Sequence, residues 1–252
     1  MRARGKGGDV QVEFRIVTGT AAIRRKGAHV KTVIFDLDGT LADTSGDLIA
    51  AANVCFRKMG VGDMLDPKAD ATTAFHGGRA MLRLGLSRLG AVDEAEVDRW
   101  FLPFIEAYDA EIDRHTLLYP GAMAAVEALD AMGIPSGICT NKPEALADKL
   151  LRRLGVRGAF VSLVGADTLP TRKPDPAPYH EAVRRAGGSS ARSLLVGDTD
   201  TDRKTAAAAG VPCVLVTFGP GGPDMAALEP QALIDRYEDL PGVVMRLLGQ
   251  GA

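Results

Sequence analysis

The chain has 252 residues, of which 46% are hydrophobic and 25% charged, and its formal net charge at pH 7 is −2. This composition is ordinary for a soluble globular protein of one or two domains and gives no general attraction to nucleic acid or acidic membranes. No apolar run approaches a membrane span in length, and the three cysteines (Cys55, Cys139 and Cys213) lie far apart. We therefore expect a cytoplasmic protein with reduced core thiols and without nucleic-acid or membrane partners.

Residues 1–29 differ in character from the rest of the chain, because their basic side chains outnumber their acidic ones. Apolar and polar residues alternate over 10–17, which is compatible with a short strand. One interpretation is a targeting peptide or an arm that binds nucleic acid or a partner, although the segment lacks the apolar core of a secretory signal. We favour a disordered extension or a start assigned too early in the reading frame, because Val30 is a natural beginning for the first strand.

A short apolar run rich in β-branched residues over 30–35 predicts a buried strand. Asp36 and Asp38 come at its end, with Gly39 directly after them. Two carboxylates this close repel each other and raise each other's pKa unless a cation lies between them. The pair alone is therefore compatible with a divalent-metal site, and equally with an acidic turn or helix cap of the kind that Asp-Gly often marks.

Residues 45–116 contain three predicted helices and no predicted strand. The helices cover 45–60, 71–90 and 93–113, with a loop over 61–70. The third helix carries aromatic residues at helical spacing, which favours core packing over a cofactor site. We therefore expect an all-helical insertion here.

Strands and helices alternate from Tyr119 to the end of the chain. The predicted strands are 134–139, 160–164, 193–196 and 211–216. The predicted helices are 121–132, one that begins at Pro143, one that ends near 186, one that ends at Gly210, and 239–248. Alternation of this kind implies a parallel sheet with right-handed crossovers, so we expect a doubly wound α/β fold.

Polar side chains come directly after three of the predicted strands. They are Asp36 and Asp38, Thr140 and Asn141, and Asp198 and Asp202, with Lys173 added from a loop. Because the carboxyl ends of parallel strands share one edge of a sheet, we expect these groups to converge. Carboxylate oxygens suit Mg²⁺, whereas a hydroxyl, an amide and an ammonium suit the oxygens of a phosphoryl group. A Gly-rich phosphate loop of the P-loop type is absent from the sequence.

Four ordered motifs, VIFDLDGTLADT, GICTNKPE, TRKPDPAPYH and LLVGDTDTD, resemble the signatures of the haloacid dehalogenase (HAD) superfamily. Their sequences are most similar to those of the phosphoglycolate phosphatase branch, as is Tyr119-Pro120-Gly121 before the second motif. The resemblance covers residues 30–222. It implies a Rossmann-like HAD core over 30–44 and 117–252 and a small all-helical cap domain over 45–116.

The resemblance implies a role for the acidic residues. Asp36 would be the nucleophile that forms an aspartyl phosphate, and Asp38 would act as general acid and then general base. Mg²⁺ would be held by Asp36, by the backbone carbonyl of Asp38 and by Asp198. Asp202 matches the second acid of the fourth motif, which reaches the metal through water, better than Asp200, for which a helix cap is the simple alternative.

The resemblance also implies how a phosphoryl group would be bound. Thr140 and Asn141 would bind its oxygens, and Lys173 would neutralise charge on the phosphoryl group and on Asp36. Asp43 would brace the loop after the first motif. Taken singly, Thr140 and Asn141 are equally compatible with turn chemistry, and Lys173 with a solvated side chain.

Substrate specificity would be determined by the cap, where Gly78 and Arg79 lie at the junction of a loop and a helix. The pair of glycines at this junction would allow the backbone to approach a substrate closely. Arg79 is a candidate to bind a substrate carboxylate, and an ordinary surface position on a helix is an equally simple interpretation. Neither cap lysine, Lys58 or Lys68, falls where the superfamily's phosphonatases keep their Schiff-base lysine.

The leading prediction is a Mg²⁺-dependent phosphatase, acting as a monomer or homodimer on a small phosphorylated metabolite, with 2-phosphoglycolate as first choice. A sugar phosphomutase of the same superfamily is the alternative on the same fold. A non-catalytic binding module is the alternative from another class. The intact Asp36, Asp38, Lys173 and Asp198 argue against it, because a binding module has no need of a nucleophile.

Overall fold

The computed structural model describes residues 30–90 and 92–249, so the predicted extension over 1–29 lies outside the described residues. The strands, in chain order, are β1 (Thr32–Phe35), β2 (Ala42–Asp43), β3 (Leu117–Leu118), β4 (Ser136–Cys139), β5 (Ser162–Val164), β6 (Ser193–Gly197), β7 (Cys213–Val216) and β8 (Ala232–Ile234). The α-helices are α1 (Ser45–Lys58), α2 (Ala71–Ala74), α3 (Gly78–Ser87), α4 (Glu94–Ala110), α5 (Ala122–Ala131), α6 (Glu144–Arg153), α7 (Ala177–Arg185), α8 (Asp200–Ala209) and α9 (Leu240–Gly249).

Six of the strands form one parallel sheet in the order β5-β4-β1-β6-β7-β8. Alternate residues of β1 point to opposite faces, as the pleat of a strand requires. Val33 and Phe35 belong to the apolar cluster that α5, α6 and α9 line, whereas Ile34 belongs to the cluster that α7 and α8 line. Helices therefore cover both faces of the sheet, which confirms the predicted doubly wound, Rossmann-like α/β fold.

Helices α1 to α4 form a layer of their own, in which α1 and α3 pack against α4. In the described part of 45–116 there is no strand, as predicted. The prediction of one continuous helix over 71–90 is wrong, because the backbone at Gly77 adopts a φ of 88° and separates α2 from α3. The next residue, Gly78, lies against the ring of Phe104, where an added Cβ would come within 2.3 Å of a ring carbon. The break and the missing side chain together let α3 approach α4.

The chain leaves the sheet for this helical layer through β2 and returns through β3. These two short strands pair antiparallel, with Ala42 opposite Leu118 and Asp43 opposite Leu117. The two connections therefore lie side by side, next to the turn after β1.

The sheet has one strand that the sequence did not predict. Strand β8 pairs with β7 at the sheet edge and is only three residues long, with Leu233 partly exposed. A run this short gives too few alternations for a periodic signal. Within residues 30–90 and 92–249, every helix falls short of the length or apolar character that crossing a membrane requires.

Candidate active site

Asp36 lies at the carboxyl end of β1, the central position of the sheet, where the backbone turns sharply. Gly39 adopts a φ of 79°, and its N–H donates to the carbonyl of Ala42 at 2.9 Å. The N–H of Leu37 donates to Oδ1 of Asp36 at 2.7 Å. The turn thus fixes one oxygen of this buried carboxylate and leaves Oδ2 directed to Lys173, whose Nζ lies 3.0 Å away.

Asp198 lies at the end of β6, beside Asp36, and is fully buried. Its Oδ1 accepts a hydrogen bond from Oγ1 of Thr40 at 2.7 Å, whereas its Oδ2 is buried and has no hydrogen-bond partner among the described residues. Gly39 makes room for that oxygen, since a Cβ there would lie 2.2 Å from Oδ2. A buried carboxylate oxygen without a donor is costly, and a bound cation is the ordinary way to satisfy it.

Lys173 joins Asp36 to Asp202. Its Nζ donates to Oδ1 of Asp202 at 2.6 Å, and all three side chains are almost fully enclosed. Burial acts to lower the pKa of Lys173, but the charges of Asp202 and Asp36 outweigh it, so the pKa is raised and the ammonium stays charged. The other oxygen of Asp202 accepts from the backbone N–H and the hydroxyl of Thr199, which caps α8.

Three carboxylates therefore converge, since oxygens of Asp36, Asp198 and Asp202 lie within 4.8 Å of one another. Burial raises the pKa of Asp36 to about 6, although Lys173 acts to lower it. Burial, with smaller contributions from the charges of Asp202 and Asp36, raises the pKa of Asp198 well above its ordinary value. One lysine does not balance this much negative charge. The donor set of buried carboxylate oxygens fits a hard divalent cation such as Mg²⁺.

The strand-end residues of β4 reach the same edge of the sheet. Thr140 is buried, and its hydroxyl accepts from the N–H of Lys142 at 3.2 Å, so its own proton remains available to a ligand. The side-chain amide of Asn141 donates to the carbonyl of Lys173 at 3.0 Å. Asn141 therefore ties the β4 turn to the loop that carries Lys173, in addition to any contact it makes with a ligand.

Asp38 is held by two residues that sequence reasoning did not single out for the site. Its Oδ1 accepts from Oγ1 of Thr44 at 2.6 Å and from Nζ of Lys142 at 2.8 Å. Its Oδ2 has no partner among the described hydrogen bonds and is therefore available to a ligand. Lys142 comes directly after the polar pair at the end of β4, and that position was the signal that could have placed it at this edge.

The remaining predicted residues lie around this centre. Asp43 accepts from the N–H and the hydroxyl of Ser45 and so caps the start of α1. Asp200 is exposed beside Lys204 on α8, apart from the carboxylate cluster. The Arg79 guanidinium binds Asp98 and lies 4.4 Å from the ring centroid of Phe101, both on α4. The predicted part of Gly78 and Arg79 in substrate choice stays a prediction.

The helical layer reaches the centre through a residue that the sequence did not single out. An added Cβ at Gly39 would lie 2.9 Å from a ring carbon of Phe75, in the turn between α2 and α3. The Phe75 ring therefore lies over the turn that carries Asp36 and beside the free oxygen of Asp198.

Comparison with known proteins identifies one family. Residues 30–210 match the family described as haloacid dehalogenase-like hydrolase. A phosphoglycolate phosphatase of Mesorhizobium japonicum is 37% identical over 211 residues, which are 82% of this chain and 92% of that protein. A phosphoglycolate phosphatase of Rhodospirillum rubrum is 38% identical over 218 residues, covering 83% of this chain and 89% of its own.

Solved structures show the same fold. The crystal structure of a predicted phosphoglycolate phosphatase from Haemophilus somnus superposes with a TM-score of 0.75 at 26% identity, covering 85% of this chain and 98% of that one. A predicted phosphatase from Clostridium acetobutylicum gives a TM-score of 0.73 at 19% identity and covers 86% of this chain and all of its own. At that identity the second comparison supports the fold alone.

Proposed function

This chain belongs to the haloacid dehalogenase-like hydrolase family, and on that basis we propose that it is a Mg²⁺-dependent phosphatase that hydrolyses 2-phosphoglycolate through an aspartyl phosphate on Asp36. The enzyme class, a phosphoric monoester hydrolase, is supported by relatives named phosphoglycolate phosphatase that span most of the chain. The metal, the covalent intermediate, the residue roles and the substrate are the proposal.

The observation that carries the proposal is the buried carboxylate cluster with its single lysine. Asp36 and Asp198 are raised in pKa by burial, and Oδ2 of Asp198 has no donor among the described residues. Such an arrangement is unfavourable by itself and becomes favourable with a divalent cation and a phosphoryl group between its members. Asp36, the backbone carbonyl of Asp38 and Asp198 would hold Mg²⁺, with Asp202 in contact through water. When bound, Mg²⁺ supplies positive charge to the phosphoryl oxygens and to the nucleophile.

The protein's own residues then carry the steps. An oxygen of Asp36 attacks phosphorus, the ester P–O bond breaks, and Oδ2 of Asp38 gives its proton to the leaving alkoxide. The resulting Asp38 carboxylate takes a proton from water, which attacks phosphorus and breaks the bond to Asp36. Inorganic phosphate leaves, and Asp38 is protonated again. Thr140 and Asn141 would orient the phosphoryl oxygens, and Lys173 would neutralise charge on them and on Asp36.

The domain division is part of the proposal. Residues 30–44 and 117–252 would be the core, and 45–116 would be a cap that closes over it. The Phe75 ring next to Gly39 and the paired strands β2 and β3 support this division, since they give the helical layer both a contact with the centre and a narrow attachment. Gly78 and Arg79, at the start of α3, would be residues through which the cap contacts the substrate, and Asp43 would fix the start of the first cap helix.

The test is phosphate release from a panel of phosphorylated metabolites by protein treated with EDTA, with and without added Mg²⁺. We expect Mg²⁺-dependent, stoichiometric release from 2-phosphoglycolate, with kcat/KM above that for hexose phosphates. Isomerisation of a sugar phosphate without release of phosphate would identify a mutase instead. Release of phosphate at the same rate in EDTA would contradict the metal dependence.

A further inference from the structure

Lys142 is a buried cation that the proposed phosphoryl chemistry leaves without a role. It is 6% exposed, and its Nζ lies between two layers of the molecule. On the core side it donates to Oδ1 of Asp38 at 2.8 Å, and on the helical side it lies 4.4 Å from the ring centroid of Tyr108 in α4. It therefore occupies the boundary between the core and the helical layer, beside the proposed acid.

The donors of this ammonium are incompletely used. An ammonium has three N–H donors; one goes to Asp38 and the Tyr108 side chain is a second partner, which leaves at least one donor for a ligand. The hydroxyl of Tyr108 is also buried and has no acceptor within hydrogen-bond distance among the described residues, so its proton remains available. A lysine ammonium and a tyrosine hydroxyl, each with a proton available to a ligand, thus lie together in an enclosed place.

The position of Asp38 indicates which part of a substrate the Lys142 ammonium and the Tyr108 hydroxyl would contact. In the proposed reaction, Oδ2 of Asp38 contacts the ester oxygen of the leaving group. In 2-phosphoglycolate the carbon that bears this oxygen also bears the carboxylate. The carboxylate carbon is therefore two bonds from the oxygen that Asp38 contacts. The ammonium that already contacts Asp38 is thus within reach of the carboxylate, and a buried charge-assisted hydrogen bond is a strong one.

The alternative cation is less available. The guanidinium of Arg79 is bound to Asp98 and stacks on Phe101, and both partners belong to the same helical layer. About two-fifths of the Arg79 side chain is exposed, whereas that of Lys142 is almost fully enclosed. A carboxylate bound at Arg79 would compete with Asp98 and with water, whereas one bound at Lys142 would share the ammonium with Asp38 in a place that is shielded from water.

We propose that Lys142 is the specificity-determining residue for the substrate's carboxylate, which its ammonium binds together with the Tyr108 hydroxyl. The inference rests on the proposed function and deepens it, because it defines the substrate class as phosphate monoesters with a carboxylate on the carbon that bears the ester oxygen. Since Lys142 belongs to the core and Tyr108 to the helical layer, the subsite exists only when the two are in contact.

The test compares two substrates that differ in the carboxylate alone, 2-phosphoglycolate and 2-hydroxyethyl phosphate. The measured quantity is the discrimination ratio, which is kcat/KM for the first divided by kcat/KM for the second. Lys142→Met keeps the length of the side chain and removes its charge. We expect the ratio to fall by roughly 10–100-fold, the worth of a hydrogen bond to a charged group. Tyr108→Phe keeps the ring and should lower the ratio by about 3-fold or more.

Two control variants accompany them. Lys149→Met removes a lysine that pairs with Asp109 on α4, across the same boundary but in the exposed part of it, and should leave the ratio unchanged. Arg79→Met tests the cation that the sequence favoured and should change both substrates by the same factor. A melting curve for each variant shows whether it is folded.

The outcomes separate the two proposals. Equal losses for both substrates in Lys142→Met would mean that Lys142 only positions Asp38, and the inference would be overturned while the phosphatase remained. A fall in the ratio for Arg79→Met instead would also overturn it. Wild-type protein that releases phosphate from neither ester would refute the proposed function, and the inference with it. If Lys142→Met does not fold, an unchanged ratio in Tyr108→Phe overturns the shared subsite.

Discussion

Asp47 in α1 binds Thr116 in the segment that leads back into β3. Its Oδ2 accepts from the backbone N–H of Thr116 at 2.9 Å and from the Thr116 hydroxyl at 2.7 Å. Oδ1 accepts from the N–H of His115 at 2.9 Å, and the side chains of Asp47 and Thr116 are buried. The first turn of the helical layer therefore holds the segment through which the chain leaves that layer.

Asp47→Ala should destabilise the protein by about 3 kcal/mol, because buried N–H and hydroxyl donors would lose their common acceptor. Urea denaturation monitored by circular dichroism measures this change. Asp63→Ala, which removes the exposed partner of Arg57, is the matched control and should cost less than about 0.5 kcal/mol. Equal losses in the two variants would contradict the assigned importance of the Asp47 contacts.

Gly78→Ala should lower the free energy of unfolding by about 1–3 kcal/mol, since the new methyl group would overlap the Phe104 ring and force α3 away from α4. Gly242→Ala is the control, because an added Cβ there meets open space within α9. That variant should be neutral or slightly stabilising, as alanine replaces glycine in a helix. A stability of Gly78→Ala equal to that of wild type would show that the two helices adjust freely.

Asp36→Asn should remove all detectable turnover and leave the fold intact, because the amide is a poor nucleophile. Asp38→Asn should lower kcat by about 10²–10⁴-fold, the usual contribution of a positioned proton donor. Asp200→Asn, in the same motif as Asp198 but exposed beside Lys204, should stay close to wild type. Phosphate release measures all three, and turnover by Asp36→Asn would favour direct attack of water on phosphorus.

Beryllium fluoride with Mg²⁺ imitates an aspartyl phosphate and gives a readout that does not require turnover. At a ligand concentration 100 times Kd, binding adds about 2.7 kcal/mol to the stability of the folded state. The melting temperature should rise for wild type and for Asp38→Asn, and stay constant for Asp36→Asn. A rise in all three proteins would place the ligand elsewhere.

Without metal, the contribution of Asp36 to the stability of the folded protein should increase as the pH falls from 7 to 5. The pKa of Asp36 is about 6 in the folded protein, against about 3.9 for an unfolded aspartate. Because the folded state binds the proton more tightly, its stability increases as pH falls through the folded pKa, and levels off below the unfolded one. Relative to Asp36→Asn, wild type should gain about 1 kcal/mol over this interval. Denaturation at both pH values in EDTA measures it, and an equal response of the two proteins would contradict the raised pKa.

The sequence was sufficient to predict five of the six strands of the sheet and the convergence of the residues at their ends. Asp36, Thr140 and Asp198 come after buried apolar runs, and parallel pairing brings the ends of such runs to one edge irrespective of how far apart they are in the chain. The alternation of predicted strands and helices along the chain was enough for that prediction. The break at Gly77 was missed because glycine inside a helical pattern does not by itself reveal a positive φ.

Lys142 could not be recognised as a buried cation from the sequence. Its enclosure depends on Tyr108, which comes from a helix placed over it by packing and not by local pattern. Thr44 was missed for a similar reason, since a hydroxyl after a turn is an ordinary helix cap until its distance to Asp38 is known. Sequence patterns predict which residues lie at the end of each strand, and they do not predict which side chains of a second layer close over it.

The antiparallel pair β2 and β3 has a consequence for how such a protein can change over evolutionary time. Ala42 and Leu118 are neighbours, so the segment between them begins and ends at the same place beside the parallel sheet. A segment whose ends already meet can be lengthened, shortened or exchanged without moving the strands that carry Asp36 and Asp198. Descendants of one ancestral hydrolase could thus acquire new ligand preferences by recombination at this junction, while inheriting the reactive centre unaltered.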